Sequence, residues 1–285
     1  MDFSRELAGL SAEQAAVLDA LLQEAAQDGQ KAPQAAIMPR AVLIQKGTAQ
    51  APLFLVHGSG GQVLFLHALA RHMSAAQPVY GIEAARTECA GGDEQADPQS
   101  ASARYVKTLR AVQPHGPYWL GGYSAGCLLA FEMAAHLQRG GEEVAFLLLI
   151  DPAAVPDQNK TGTPAEDLPT PQQKLQRRFE IALLAGVTPL SPEFSYIERV
   201  NREFLDLARN FHAAPINQRI HIVHGTRGAY VATSAVLRQW ARLAGGGLEC
   251  AAIEADHFEI VRGPPAAMTA KQIQSWLDAL QNAPA

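Results

Sequence analysis

The sequence predicts an α/β chain: a mostly parallel central sheet with helices on both faces and a helical insertion. Three features point there. Gly122-Tyr123-Ser124-Ala125-Gly126 falls where the short apolar stretch Tyr118-Trp119-Leu120 gives way to a helical stretch, Ala125 to Arg139, stopped by Gly140-Gly141. Val144 to Ile150 is a continuous apolar run, short enough for a strand buried on both faces, and it ends at Asp151. From Ala41 onward, strand-like and helix-like segments alternate along the chain.

In chain order, Ser11-Ala12-Glu13-Gln14 is a capping-box pattern, and Val17, Leu18, Leu21, Leu22 and Ala25 then recur at helical spacing as far as Asp28-Gly29. That predicts an amphipathic helix outside the main fold, with residues 30–40 as its linker and residues 1–40 as a separate part. Such a helix either lies on its own domain or serves in docking or in a homodimer. Residues 41–285 then form the sheet-based domain. Within it, the stretch from Pro152 to about Ile216 is an insertion, about 153–216. It starts polar and proline-rich and continues through amphipathic stretches around Leu175 to Leu184 and Phe194 to Phe211. Two further strands follow, Arg219 to His224 and Leu248 to Ile253, and a C-terminal helix closes the chain.

The five-residue Gly-x-Ser-x-Gly has a mechanical reading in this context. A serine on a tight strand-to-helix turn sits at a strained backbone angle, and side chains at Gly122 or Gly126 would collide across the turn. The hydroxyl is thereby exposed at the carboxyl edge of the sheet, as a nucleophile must be. A serine needs a base, and in this architecture the order is Ser, acid, His. Five histidines lie downstream: His136, His212, His221, His224 and His257. His136 falls in the helix after the serine, His212 ends an amphipathic stretch, and His221 and His224 belong to a strand, His224 near its end. His257 stands in the loop Glu254-Ala255-Asp256-His257-Phe258, between the last strand and the C-terminal helix, and is the expected base. The expected acid is Asp151, at the end of its strand, where the active-site groups of a parallel sheet collect. The segment Gly225 to Tyr230, after the next strand, has no carboxylate, and Asp157 is held in reserve.

Beyond these residues, the chain from about Ala41 to its end resembles the thioesterase domains that terminate nonribosomal peptide synthetases and polyketide synthases, members of the α/β-hydrolase superfamily. The resemblance is carried by Pro52-Leu53-Phe54-Leu55-Val56-His57-Gly58, Pro78-Val79-Tyr80-Gly81-Ile82, Pro114-His115-Gly116-Pro117-Tyr118 leading into the elbow, and Asp256-His257-Phe258. In that family the acid often ends the strand after the elbow helix, which matches Asp151. The resemblance implies an oxyanion hole made of the backbone N–H of Ala125 and one from the loop His57-Gly58-Ser59-Gly60-Gly61, with Ser59 favoured and Gly60 next to it. It also implies that the insertion is a lid, with Phe194, Phe204 and Phe211, together with Tyr123, contacting the substrate; the competing expectation is that these aromatics anchor helices to the core. The implied substrate is an acyl, polyketide or peptidyl chain presented on the phosphopantetheine arm of a carrier protein, released by hydrolysis or macrocyclisation, with no bound cofactor and no metal.

Composition agrees with an enzyme of this kind. The 285 residues are 48% hydrophobic and 18% charged, enough to bury one substantial core. A net charge of −5 argues against a nucleic-acid partner. No apolar run approaches the ~20 residues of a membrane span, and the first residues do not begin a signal peptide, so a cytoplasmic protein is expected. The three cysteines, Cys89, Cys127 and Cys250, are scattered, as reduced thiols are. Two other functions use the same residues: a general carboxylester hydrolase, preferring free esters to thioesters, and a non-catalytic binding module, whose serine a fluorophosphonate would not label.

Overall fold

The computed structural model describes residues 11, 16, 38–48, 51–85, 98–155, 179, 192–228 and 232–282. Among these residues seven strands form one sheet: β1 (Arg40–Gln45), β2 (Leu53–Val56), β3 (Val79–Glu83), β4 (Tyr118–Tyr123), β5 (Val144–Ile150), β6 (Ile220–Gly225) and β7 (Leu248–Ile253). Their order across the sheet is β1-β3-β2-β4-β5-β6-β7. Only β1, at the edge beside β3, runs antiparallel. Among the described residues six helices accompany them: α1 (Leu66–Ala70), α2 (Pro98–Val112), α3 (Gly126–Arg139), α4 (Pro192–Arg209), α5 (Ser234–Leu243) and α6 (Pro265–Gln281).

The uninterrupted apolar runs of the sequence become strands covered on both faces. Along β2, Phe54 and Val56 join a cluster with Tyr105, Leu109, Leu128, Phe131 and Trp240 of α2, α3 and α5. Leu53 and Leu55 point the other way, toward Leu66, Leu69, Ile273 and Trp276 of α1 and α6. In β5, Leu147 and Leu149 take the first face, and Phe146, Leu148 and Ile150 the second. Alternating side chains meet apolar partners on either side, so no polar position interrupts the run.

This topology decides where a site can form. The chain runs from β2 outward to β3 and then returns to place β4 on the opposite side of β2. Loops after β2 and β4 therefore leave neighbouring strands in opposite directions, opening a crevice at their carboxyl ends. All but residues 11 and 16 of the expected N-terminal helix, and all but residue 179 of the stretch around Leu175 to Leu184, lie outside the described residues, as do Cys89 and Asp157. The segment between β5 and β6 contributes α4, over the residues where the second amphipathic stretch was expected. No helix among the described residues is long and apolar enough to cross a membrane.

Candidate active site

Strand β4 ends at Tyr123, and Ser124 takes the left-handed backbone angle φ +55° before the chain enters α3. The turn is braced because Ser124 N–H donates to Ile150 O at 2.8 Å, on the neighbouring strand. Both flanking glycines are steric requirements. A Cβ on Gly122 would run into the backbone carbonyl of Gly126, and a Cβ on Gly126 into the carbonyl of His57. Beneath the turn, the Cys127 thiol donates to Gly122 O at 3.2 Å. Burial pushes that thiol well up, so it stays protonated and fills the core.

Asp151 leaves β5 in the same left-handed region, φ +48°, with its N–H donating to Val223 O at 2.7 Å. It is 3% exposed, and both carboxylate oxygens are engaged. Oδ1 accepts from Gly225 N–H at 3.0 Å, and Oδ2 meets His257 Nδ1 at 2.5 Å. A buried carboxylate at that distance requires the proton on Nδ1, leaving the Nε2 lone pair to accept from Ser124 Oγ–H at 2.9 Å. Ser124, His257 and Asp151, expected together from the sequence, are thus one hydrogen-bonded line joining the ends of β4, β7 and β5.

The loop carrying His257 is locally determined. Asp256 Oδ1 accepts from the N–H groups of Phe258 and Glu259, both at 2.8 Å, and Glu259 Oε2 accepts back from Asp256 N–H at 3.1 Å. This reciprocal cap starts a single 3-10 turn, Glu259–Val261, and fixes the loop beside it. The imidazole meets two aromatic rings, stacked on Tyr123 at 5.1 Å and edge-on to Phe258 at 5.2 Å. The Tyr123 hydroxyl also donates to the His257 carbonyl at 2.6 Å.

Across the crevice, the loop after β2 turns through Gly58 to Gly61, closed by Gly61 N–H donating to Gly58 O at 3.1 Å. The N–H groups of Ser59, Gly60 and Ala125 have no hydrogen-bond acceptor among the described residues, and Ser59, Gly60 and Ser124 line a cavity of about 650 Å³. His57, which heads this loop, is 1% exposed, and burial brings its pKa down from 6.5 to about 4, opposed by its bond to Gly58 and by Glu83. As a neutral ring it donates from Nδ1 to Gly58 O, 2.5 Å away, and accepts at Nε2 from the Tyr105 hydroxyl at 2.6 Å.

Other expected residues are placed elsewhere. Tyr123 lines the cavity, but Phe194, Phe204 and Phe211 are not among the described residues that do. All three are buried; Phe204 and Phe211 belong to the core cluster, where Phe211 meets Phe131 edge-on at 6.0 Å. The cavity wall is formed instead by Leu64, Phe65, Ala68 and Phe258, with Arg71 and Arg262 also lining it. Sequence reasoning missed these residues and the His57–Tyr105 pair. The segment after the glycine loop carries no motif, although a histidine before that loop was a visible signal. Among the other histidines, His221 sits against Phe146 and Trp276, and His212 is exposed. No group of three or more His, Cys, Asp or Glu side chains among the described residues is arranged to hold a metal ion.

A mostly parallel sheet with a serine at a strand-to-helix turn after β4 defines an α/β-hydrolase. More narrowly, the chain belongs to the Thioesterase domain family, whose family model matches residues 51–277. Curated relatives include microperfuranone synthase of Emericella nidulans, 45% identical over 102 residues, which are 35% of this chain and 10% of that protein. Indigoidine synthase of Dickeya dadantii is 38% identical over 119 residues, 40% of this chain and 8% of the synthase. The chain therefore spans only a small part of these relatives. Among solved structures, the NocB thioesterase domain in covalent complex with a fluorophosphonate nocardicin G analog superposes with a TM-score of 0.67 at 24% identity, over 84% of this chain and 99% of that one. A four-domain nonribosomal peptide synthetase, holo-AB3403, matches with a TM-score of 0.65 at 20% identity, over 88% of this chain and 21% of that one.

Proposed function

We propose that this thioesterase-family domain releases an acyl, polyketide or peptidyl chain from the phosphopantetheine thioester of a carrier protein, through an acyl-enzyme on Ser124. The hydrogen-bonded line Ser124–His257–Asp151 beside an open cavity carries the reading. His257 Nε2 takes the Ser124 proton as Oγ attacks the thioester carbonyl, and the C–S bond then breaks with the proton passing from Nε2 to the departing thiolate. Asp151 holds the imidazole in the Nδ1–H tautomer and stabilises its charged form. In the tetrahedral intermediate the oxyanion accepts from Ala125 N–H and from Ser59 or Gly60 N–H, each such donor contributing ~2.7–4 kcal/mol. Water completes a hydrolysis, whereas an internal hydroxyl or amine completes a macrocyclisation, with the segment between β5 and β6 acting as the lid over the chain.

Incubating the protein with a synthetic acyl thioester, measuring its intact mass and identifying the released product tests this. The expected result is a mass increase equal to the acyl group that is absent in Ser124→Ala, together with an acid or a ring in solution. Turnover of p-nitrophenyl esters far above that of thioesters would instead assign a general carboxylester hydrolase.

A further inference from the structure

Helix α4 is joined to the glycine loop by contacts that the reaction scheme does not use. Gly61 has φ +75°, and its missing Cβ leaves room for α4: a Cβ there would lie 2.8 Å from the Tyr196 hydroxyl and 3.1 Å from both methyl groups of Val200. The Tyr196 hydroxyl donates to Ala84 O at 3.1 Å and lies 3.5 Å from Gly61 O, while Ala84 N–H itself donates to Gly61 O at 3.0 Å. One turn further along, Arg199 donates to Ala85 O at 3.3 Å, with its guanidinium 5.4 Å over the Tyr196 ring. From below, the loop is held by His57, bonded to both Gly58 O and Tyr105. The glycine loop is therefore clamped between a buried histidine and a helix of the segment between β5 and β6.

We propose that Tyr196 is a positioning residue of the oxyanion hole: by fixing Gly61 against Ala84, α4 sets the direction of the Ser59 and Gly60 N–H groups, so the insertion tunes stabilisation of the tetrahedral intermediate. The proposal rests on the thioester-release reading and deepens it. A left-handed glycine bonded at both N–H and C=O transmits a displacement of its neighbour along the turn, because Gly61 N–H and Gly58 O close that turn. Two residues of the turn, Ser59 and Gly60, lie between those anchors.

Tyr196→Phe keeps the ring under Arg199 and removes only the hydroxyl. Two readings separate positioning from covering of the substrate: kcat and KM on an acetyl thioester of N-acetylcysteamine, too short to need a lid, and inhibition by a trifluoromethyl ketone whose tetrahedral adduct places O⁻ in the hole. Expected is a fall in kcat of about tenfold, less than the 10²–10³-fold loss of a whole donor, with KM within about twofold and Ki rising by the same factor as kcat falls. Gly61→Ala should lose more, and lose less in the Tyr196→Phe background than in the parent, since the oxygen nearest the new Cβ is gone. Unchanged kcat and Ki on the short probes, with an effect confined to KM for long chains, overturns the proposal. A parent enzyme that never acylates Ser124 overturns the release function itself, a separate outcome read before any variant is made.

Discussion

Asp151 spends each of its oxygens on a different task, one on the imidazole and one on the Gly225 amide of the adjacent strand. Replacing it with asparagine keeps size and burial but puts an amide where two acceptors are required, so one contact is lost or the histidine takes the wrong tautomer. Asp151→Asn should therefore lower kcat on the order of 10⁴-fold with a near-normal melting temperature; a loss under about tenfold would show that another group orients His257. The meeting of Ser124, Asp151 and His257 was legible because each sits at an element boundary that the sequence marks: a glycine-flanked turn, the end of an apolar run, the loop before a terminal helix. Tyr123 was legible only as a neighbour of the serine. That its ring stacks on the histidine and its hydroxyl holds the His257 carbonyl depends on two positions 134 apart being brought together, which no local pattern encodes.

Among the elements, α4 shows the limits of amphipathic reading. Its apolar periodicity announced a helix with one face to bury, and that helix is present. Periodicity does not say what the face meets. Phe204 and Phe211 were open to two readings, as substrate contacts or as anchors, and they join the core of α2, α3 and α5, with Leu207 beside them. Phe211 is 1% exposed against Phe131, so Phe211→Ala should cost about 3–5 kcal/mol in urea unfolding. At a temperature where the variant is folded, its kcat on a short acyl thioester should stay within about twofold of the parent; a specific loss for long chains at unchanged stability would return Phe211 to the substrate.

For the whole molecule, the sheet order brings the glycine loop and the serine to adjacent strand ends, and a buried histidine supports the junction. His57 is neutral in the fold because burial opposes its charge, lowering its pKa from 6.5 to about 4, while Gly58 O and Glu83 pull the other way. The unfolded chain protonates this ring below about pH 6.5, and the folded one only near pH 4. Between these values the unfolded state binds the extra proton, so stability falls as pH falls, by about 3 kcal/mol in all by pH 4, and is unaffected by this group above pH 6.5. His57→Asn, whose amide cannot take up that proton, should have a shallower drop in urea-unfolding free energy between pH 7 and pH 4.5 than the parent; equal slopes would show that His57 is not the acid-sensitive group. The histidine before the glycines was visible in the sequence but its burial was not, since a histidine beside glycines reads the same whether it is buried or solvated.

Chain separation gives the site one more property. Ser124 and His257 are 133 positions apart, and Asp151 and His257 are 106 apart. Their meeting requires β4, β5, β6 and β7 to be paired in register, with Gly225 of β6 delivering its amide to the acid. Contacts so distant in sequence close late and slowly during folding, because the loop entropy is spent before they form. Formation of the Ser124–His257–Asp151 line is therefore a mark of finished assembly: a partly collapsed chain can show helical ellipticity and a buried tryptophan while Ser124 and His257 are still apart.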